Sequence, residues 1–184
     1  MGLLDFFSQE SRTRKQHARR LYETVVIQAR QPVFYAEWGV PDTVDGRFDM
    51  IGIHAWLLMR RLRQDEDRTK ELAQATFDLM FADMDQNLRE LGIGDMGIAS
   101  RIKKMAKAFY GRIAAYDEGL DGLPGTLEAA LKRNAYRKCD PESDQVAHLA
   151  AYVRRANIHL ADQNTENLES GTVSFPDPTV ESAA

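Results

Sequence analysis

Four histidines and one cysteine are the residues of this 184-residue chain with the widest chemical range. Histidine can act as a general base or as a ligand to a metal or haem, and a cysteine thiolate is a nucleophile. None of the histidines has a glutamate three residues before it, so the Glu-x-x-His pair of a di-iron helical bundle is missing. No G-x-S-x-G, H-E-x-x-H or P-loop pattern occurs either. We therefore expect a protein that is not an enzyme and that holds no metal or other cofactor.

The cysteine and one histidine still need an interpretation. Cys139 follows Arg137 and Lys138, whose charges favour a thiolate, but a surface thiol without function is the simpler interpretation. His54 lies in a strongly apolar segment, where a histidine more often completes a hydrogen-bond network than binds a ligand. The alternative is a haem-handling protein that uses His54 or His159 as an axial ligand.

An acidic face lies on the third predicted helix. Its members are Asp78, Asp83 and Asp85, and they accompany apolar residues at three- and four-residue steps. Such a face either only keeps the helix solvated or forms an electrostatic docking site for a partner. The apolar residues beside it include Phe77, Phe81 and Met84.

A basic face is expected on the next helix. Lys103, Lys104 and Lys107 project away from its apolar side, and Arg112 lies at the border. This face is either simply solvated or contacts an anionic surface, phospholipid or ribosomal RNA, through general electrostatics. The net charge of −4 gives the chain no overall basicity, so no DNA partner is expected.

The N-terminal segment, residues 1–11, joins a short apolar cluster to the basic residues that follow it. Its apolar members are Leu3, Leu4, Phe6 and Phe7. They either begin a frayed helix or form a weak anchor, which would make the chain a membrane-surface adaptor. The order of apolar before basic residues differs from that of a secretory signal, and Asp5 and Glu10 disfavour a transit peptide. We therefore expect a cytoplasmic location.

The elements that position these residues are helices. Apolar residues recur with helical spacing, and no run of alternating β-branched residues competes with them, so the predicted class is all-α. We expect a single compact domain of about six helices over residues 12–163, followed by a flexible, disordered or loosely docked tail at 164–184. The predicted helices run approximately over residues 12–29, 47–63, 65–91, 95–116, 126–131 and 141–160.

The stretch from Phe34 to Arg63 organises the chain. Its predicted helix is apolar around nearly its whole circumference, so it is either the centre of the core or part of a binding groove. Arg47, Asp49 and Arg60 interrupt or bound the apolar run, so it does not reach the roughly 20 residues of a membrane span. Its large residues are core candidates first and binding anchors second.

Four short motifs follow one another along the chain. They are Asp45-Gly46-Arg47-Phe48, His54-Ala55-Trp56-Leu57-Leu58, Met84-Asp85 with Leu88-Arg89-Glu90, and Ala108-Phe109-Tyr110-Gly111-Arg112. Together they resemble the ubiquinol–cytochrome c chaperone family, the assembly factors of respiratory complex III. The similarity extends over roughly residues 21–160.

This resemblance implies a non-catalytic helical chaperone that receives newly made cytochrome b, an integral membrane protein, and promotes biogenesis of ubiquinol–cytochrome c reductase. It also implies a second assembly factor and the ribosome as candidate partners and, for a bacterial member, peripheral contact with the cytoplasmic face of the inner membrane. An apolar client needs an apolar groove with charges at its rim. The residues expected to contribute to this client-binding surface are Trp38, Phe48, His54, Trp56, Phe77, Asp78, Phe81, Asp83, Met84 and Asp85.

Overall fold

Six long helices and two short ones form the described part of the protein. A computed structural model describes residues 3–90, 92 and 94–179, and it describes side chains for residues 9–90, 92, 94 and 97–179. The helices are α1 (Leu3–Ala29), α2 (Val33–Ala36), α3 (Val44–Arg63), α4 (Glu66–Glu90), α5 (Asp95–Asp121), α6 (Thr126–Ala135), α7 (Ser143–Ala161) and α8 (Thr165–Glu169). No strand occurs among these residues, and one apolar core joins the helices, so the prediction of a single all-α domain is confirmed. Within the described chain, no helix is both long enough and apolar enough to cross a membrane.

Helix α3 is the centre of the fold, because it packs against α1, α4, α6 and α7. Its residues Met50, Ile53 and Leu58 have no exposed surface. Burial of such side chains stabilises a fold by about 1.5–3 kcal/mol each. The absence of a polar face on this helix is therefore explained by its position, because other helices pack against most of its sides.

The start of α3 explains a glycine in the first motif. Thr43 caps the helix, and its hydroxyl accepts a hydrogen bond from the amide of Gly46 at 3.1 Å. A Cβ atom on Gly46 would lie only 1.9 Å from the carbonyl oxygen of Pro41. The absence of a side chain at Gly46 thus lets the preceding loop fold back onto the first turn of α3.

Helix α5 is joined to α3 by polar contacts as well as apolar ones. The indole nitrogen of Trp56 donates a hydrogen bond to Asp117 at 2.9 Å, and Arg60 donates to the same carboxylate oxygen at 2.8 Å. These hydrogen bonds hold the pKa of Asp117 below its usual value, even though burial acts in the opposite direction. The second half of α5 is consequently fixed against the centre of the protein.

The segment after Asn164, predicted to be a disordered or loosely docked tail, is packed against the core. Helix α8 buries Leu168 completely, and Val173 is also buried in the core. Phe175 packs on the ring of His54, with 5.2 Å between the ring centroids. Residues 165–179 are therefore part of the packed domain, while residues 180–184 lie outside the described chain.

Candidate binding site

Three of the residues expected on a client-binding surface are enclosed in the core. The exposed fractions are 1% for Trp38 and 0% for both His54 and Trp56. Direct contact with a partner needs accessible surface, which these side chains lack in this conformation. The sequence-based assignment of these three residues to a surface is therefore corrected: their positions are those of packing residues.

His54 is held by hydrogen bonds at both ring nitrogens. Nδ1 lies 2.8 Å from the carbonyl oxygen of Met50, which can only accept, so Nδ1 carries the proton. Nε2 then accepts from the hydroxyl of Tyr152 at 2.8 Å, and Gln28 donates to that hydroxyl at 3.0 Å. Complete burial lowers the pKa of His54 to about 4, despite its backbone hydrogen bond. The ring is consequently neutral and fully engaged near neutral pH.

The second histidine of the haem-ligand alternative also contacts the C-terminal segment. Nε2 of His159 lies 3.0 Å from the hydroxyl of Ser174, while His54 packs edge-to-face against Phe175. Both histidines thus contribute to docking this segment against the helices, and His54 offers no free nitrogen to an axial site. This geometry does not support the haem-ligand interpretation of His54.

An open apolar groove lies where α3, α4 and α5 meet, and we call it the Phe48 groove. Its volume is about 270 Å³. The apolar lining is supplied by Val44, Phe48, Ile51, Met84, Leu88 and Met105, and the polar lining by Arg30, Arg47, Asp83, Asn87 and Glu90. The structure therefore brings together Phe48, Asp83 and Met84 from the expected surface.

The charges of the Phe48 groove are divided between its two sides. Arg30 directly follows α1 and Arg47 lies on α3, whereas Asp83 and Glu90 belong to α4. Asp83 accepts a hydrogen bond from the hydroxyl of Tyr22 at 2.8 Å, which fixes the carboxylate at the edge of the groove. Arg47 is paired with Asp42 at 2.6 Å, so Arg30 supplies the positive charge at one edge, while Asp83 and Glu90 make the other edge acidic.

The other two acidic residues of α4 have local partners. Asp78 accepts a hydrogen bond from Gln74 at 2.7 Å, and Asp85 forms an ion pair with Arg89 at 2.6 Å. Both are pairs within one helix, which stabilise an exposed helix by only about 0.2–0.5 kcal/mol each. Neither Asp78 nor Asp85 lines the Phe48 groove.

A second groove, which we call the Tyr110 groove, lies farther along α4 and α5. Its volume is also about 270 Å³. It is lined by Met59, Leu62, Arg63, Glu66, Thr69, Lys70, Ala73, Gln74, Phe77, Phe109, Tyr110 and Ile113. Phe77 packs against Phe81 with 4.8 Å between the centroids of the tilted rings, and both rings contact Phe109. Phe77 and Phe81 therefore form an aromatic layer between α4 and α5, and Phe77 also faces the second groove.

A buried ion cluster behind the Phe48 groove was missed by sequence reasoning. Asp49 is buried, and it receives Arg112 at 2.5 Å and Arg137 at 3.2 Å on its two carboxylate oxygens. Burial raises the pKa of Asp49 to about 6, against the opposing effect of Arg112 and Arg137. The guanidinium of Arg112 also lies over the ring of Phe48, 5.7 Å from its centroid. Arg112 is thus an internal residue, a correction to its expected place on the exposed basic face.

The three lysines of that face do lie on the surface. Lys103, Lys104 and Lys107 are exposed, and no ion pair or hydrogen bond to another described residue engages their ammonium groups. The predicted N-terminal anchor cannot be placed in the same way, because the side chains of Leu3, Leu4, Phe6 and Phe7 lie outside the described ones.

Together, these features define an all-α protein with apolar surface grooves and charged rims, an arrangement suited to binding apolar segments of a partner. The model of the Ubiquinol-cytochrome C chaperone family matches residues 36–175, and the chain belongs to this family. The resemblance carried by the sequence motifs is thereby confirmed.

Relatives of known name agree with this assignment. The chain is 28% identical over 151 residues to ubiquinol-cytochrome-c reductase complex assembly factor 1 of Xenopus laevis, covering 82% of this chain and 76% of the frog protein. It is 30% identical over 161 residues to the human protein of that name, covering 86% of this chain but only 53% of the human protein. The crystal structure of the Cbp3 homolog from Brucella abortus superposes with a TM-score of 0.84 at 38% identity, covering 96% of this chain and 98% of that one.

Proposed function

We propose that this protein is an assembly chaperone of ubiquinol–cytochrome c reductase that binds newly made cytochrome b in the Phe48 groove. The observation that carries the proposal is an open apolar groove whose two edges have opposite charge. Membership of the chaperone family and the names of the relatives, which are assembly factors of the same complex, support it. The role requires binding and release of a client and no chemical step.

The size of the groove indicates how the client is held. A volume of about 270 Å³ is slightly below the usual range for ligand pockets, so the groove takes a few side chains and not a whole helix. An amphipathic or apolar helix binds such a groove through residues spaced by three or four positions. Met84 and Met105 have flexible, polarisable side chains that adapt to different apolar residues. This suits a client with several membrane-spanning segments.

The divided charges give the bound segment a direction. Cytoplasmic flanks of membrane-spanning helices are enriched in lysine and arginine. Such a flank is attracted to the α4 edge of the groove, where Asp83 and Glu90 lie, and is repelled by Arg30. A client segment with a basic end therefore binds in one of its two orientations.

The exposed lysines suggest where the chaperone works. Lys103, Lys104 and Lys107 lie on α5, the helix that also contributes Met105 to the Phe48 groove. Contact between these lysines and anionic lipid would bring the groove close to the membrane that the client must enter. We infer that the protein works peripherally on the cytoplasmic face of a bacterial inner membrane. No surface of the described chain is assigned to a second assembly factor or to the ribosome.

Deletion and complementation test the proposal in cells. Loss of the gene is expected to lower complex III activity and the abundance of cytochrome b, and the wild-type chain is expected to restore both. Val44→Asp places a carboxylate at the lip of the groove, on a residue that is 60% exposed, where the first turn of α3 tolerates an acidic residue. This variant should restore cytochrome b poorly.

The matched control is Ile158→Asp, on a residue that is 62% exposed on α7 and does not line the groove. It should complement as well as the wild type. Normal complex III in the deletion strain would contradict the chaperone role itself. Equal complementation by both variants would contradict only the assignment of the Phe48 groove.

A further inference from the structure

We propose that Arg112 is a positioning residue: held in place by buried Asp49, its guanidinium fixes the ring of Phe48 as one wall of the Phe48 groove. The inference rests on the proposed function for its biological meaning, because it concerns the shape of the same client site. Arg112 does not itself line that groove.

Arg112 reaches two consecutive residues of α3 that point in different directions. Consecutive side chains on a helix are separated by about 100°, so Asp49 can face the core while Phe48 faces the groove. Arg112, from α5, donates a hydrogen bond to Asp49 at 2.5 Å and lies over the Phe48 ring at 5.7 Å. Its side chain is only 12% exposed, so the guanidinium has little freedom to leave this position.

A buried ion pair is not an efficient way to stabilise the contact between α3 and α5 if that is its only role. Removing both charges from water opposes much of their attraction, and a well-packed apolar pair often joins two helices equally well. An apolar pair would not present a cation to the face of an aromatic ring, which is attracted to positive charge. The contact of the Arg112 cation with the ring of Phe48, together with the link between the two helices, therefore explains why an ion pair lies here.

The same cluster contains its own control residue. Arg137 pairs with the second carboxylate oxygen of Asp49 at 3.2 Å, but its guanidinium has no contact with Phe48 among those described. Asp45, one turn earlier on α3, also faces Arg137 and forms an ion pair with Lys138. Loss of Arg112 and loss of Arg137 each remove one cation from Asp49, yet only the first removes the contact with Phe48.

The test places 4-fluorophenylalanine at position 48 of the full chain and records its ¹⁹F NMR signal in Arg112→Gln and Arg137→Gln. The wild type and Arg137→Gln should share one narrow resonance. In Arg112→Gln the resonance should shift and broaden, because the ring has lost its cation. Arg112→Lys, which keeps a cation near the ring, should recover the signal in part.

Binding of a probe peptide gives the functional readout. The probe is a helical peptide of leucine and alanine with lysines at one end, and its dissociation constant is measured by fluorescence anisotropy. Arg112→Gln should weaken binding about fivefold, which corresponds to a loss of roughly 1 kcal/mol of binding free energy because the Phe48 ring is no longer held in place. Arg137→Gln should bind nearly as well as the wild type. If Arg112→Gln does not fold, Asp49→Asn replaces it, since it leaves Arg112 present but unanchored and should also broaden the signal.

Equal changes in the two Gln variants, in the ¹⁹F signal and in affinity, would overturn the inference and leave Arg112 as a structural link. The ¹⁹F signal does not require a client. A wild-type protein that fails to bind the peptide would therefore count against the proposed function, while the ¹⁹F comparison would still decide the role of Arg112.

Discussion

Tyr152 donates a hydrogen bond to Nε2 of His54 over 2.8 Å, and this contact joins α7 to α3 in the middle of the protein. Because Nδ1 of His54 donates to the Met50 carbonyl, the imidazole is neutral and can accept from Tyr152. Protonation would turn Nε2 into a donor, so the Tyr152 hydroxyl would have to turn its own proton away, and it would bury a charge. The stability of the fold should therefore depend on the protonation state of His54.

The first prediction concerns pH. The pKa of His54 falls from 6.5 to about 4 on folding. Between pH 6.5 and pH 4, the unfolded chain therefore binds a proton at His54 that the folded protein does not bind. The contribution of His54 is complete above about pH 6.5 and is lost as the pH falls towards 4. From about pH 7 to about pH 5, the free energy of unfolding should fall by about 2 kcal/mol more in the wild type than in His54→Gln.

Urea unfolding at the two pH values measures this difference. The raised pKa of Asp49 has the opposite effect, because the folded protein then binds the proton more tightly and gains stability as the pH falls. This effect is present in both proteins and cancels from the comparison. Parallel pH profiles for the wild type and His54→Gln would show that His54 is not a buried neutral residue.

The second prediction removes one hydroxyl. Tyr152→Phe leaves Nε2 of buried His54 without its donor and should lower the free energy of unfolding by about 1–3 kcal/mol. Tyr110→Phe is the matched control, because Tyr110 is 59% exposed. It should change stability by less than about 0.5 kcal/mol. Similar effects of the two substitutions in urea unfolding would contradict the network described for His54.

The positions of the long helices could be predicted from sequence because apolar periodicity reports which side of a helix is buried. The periodicity could not report which apolar side chains stay accessible. Trp38 and Trp56 have the same residue type as common binding anchors, yet the packing of neighbouring helices encloses them. Phe48 is only partly buried and lines a groove, and Met84 reaches the same groove although it is 6% exposed.

Two other features depend on contacts between distant parts of the chain. Arg112 shares a helix with the exposed lysines, and only the approach of α3 reveals its partner Asp49. The segment around Phe175 has no periodicity, because it docks through single side chains and loop hydrogen bonds and not through a helical face. The loss of helical periodicity therefore predicted a disordered or loosely docked tail, whereas tertiary contacts fix the segment.

The third prediction concerns this C-terminal segment. The amide of Thr172 donates to the carbonyl of Asn167 at 2.8 Å, and the amide of Ser174 donates to the side chain of Gln163 at 2.9 Å. Both amides should exchange with deuterium well below the rate of an unstructured chain. Phe175→Ala should accelerate their exchange, and Asp177→Ala, an exposed control, should not. Exchange of the wild type at the unstructured rate would contradict docking of the segment.

The fourth prediction concerns the basic face of α5. The protein should float with phosphatidylcholine vesicles that contain phosphatidylglycerol and not with phosphatidylcholine alone. Lys103→Gln with Lys107→Gln should lower the partition coefficient about 30-fold at low salt, since each lysine near an anionic surface contributes about 1 kcal/mol. Lys132→Gln with Arg133→Gln removes the same charge from α6 and should have little effect. Binding to a short RNA duplex but to no vesicle would contradict the membrane assignment.

Site-specific photo-crosslinking is the most direct test of the Phe48 groove as the site for newly made cytochrome b. A photoreactive residue at position 44, on the lip of the groove, should form a crosslink to cytochrome b in cells that are synthesising complex III. The same residue at position 158, on the exposed surface of α7, should form little or none. Absence of cytochrome b from the products at position 44, or equal yields at the two positions, would contradict the proposal.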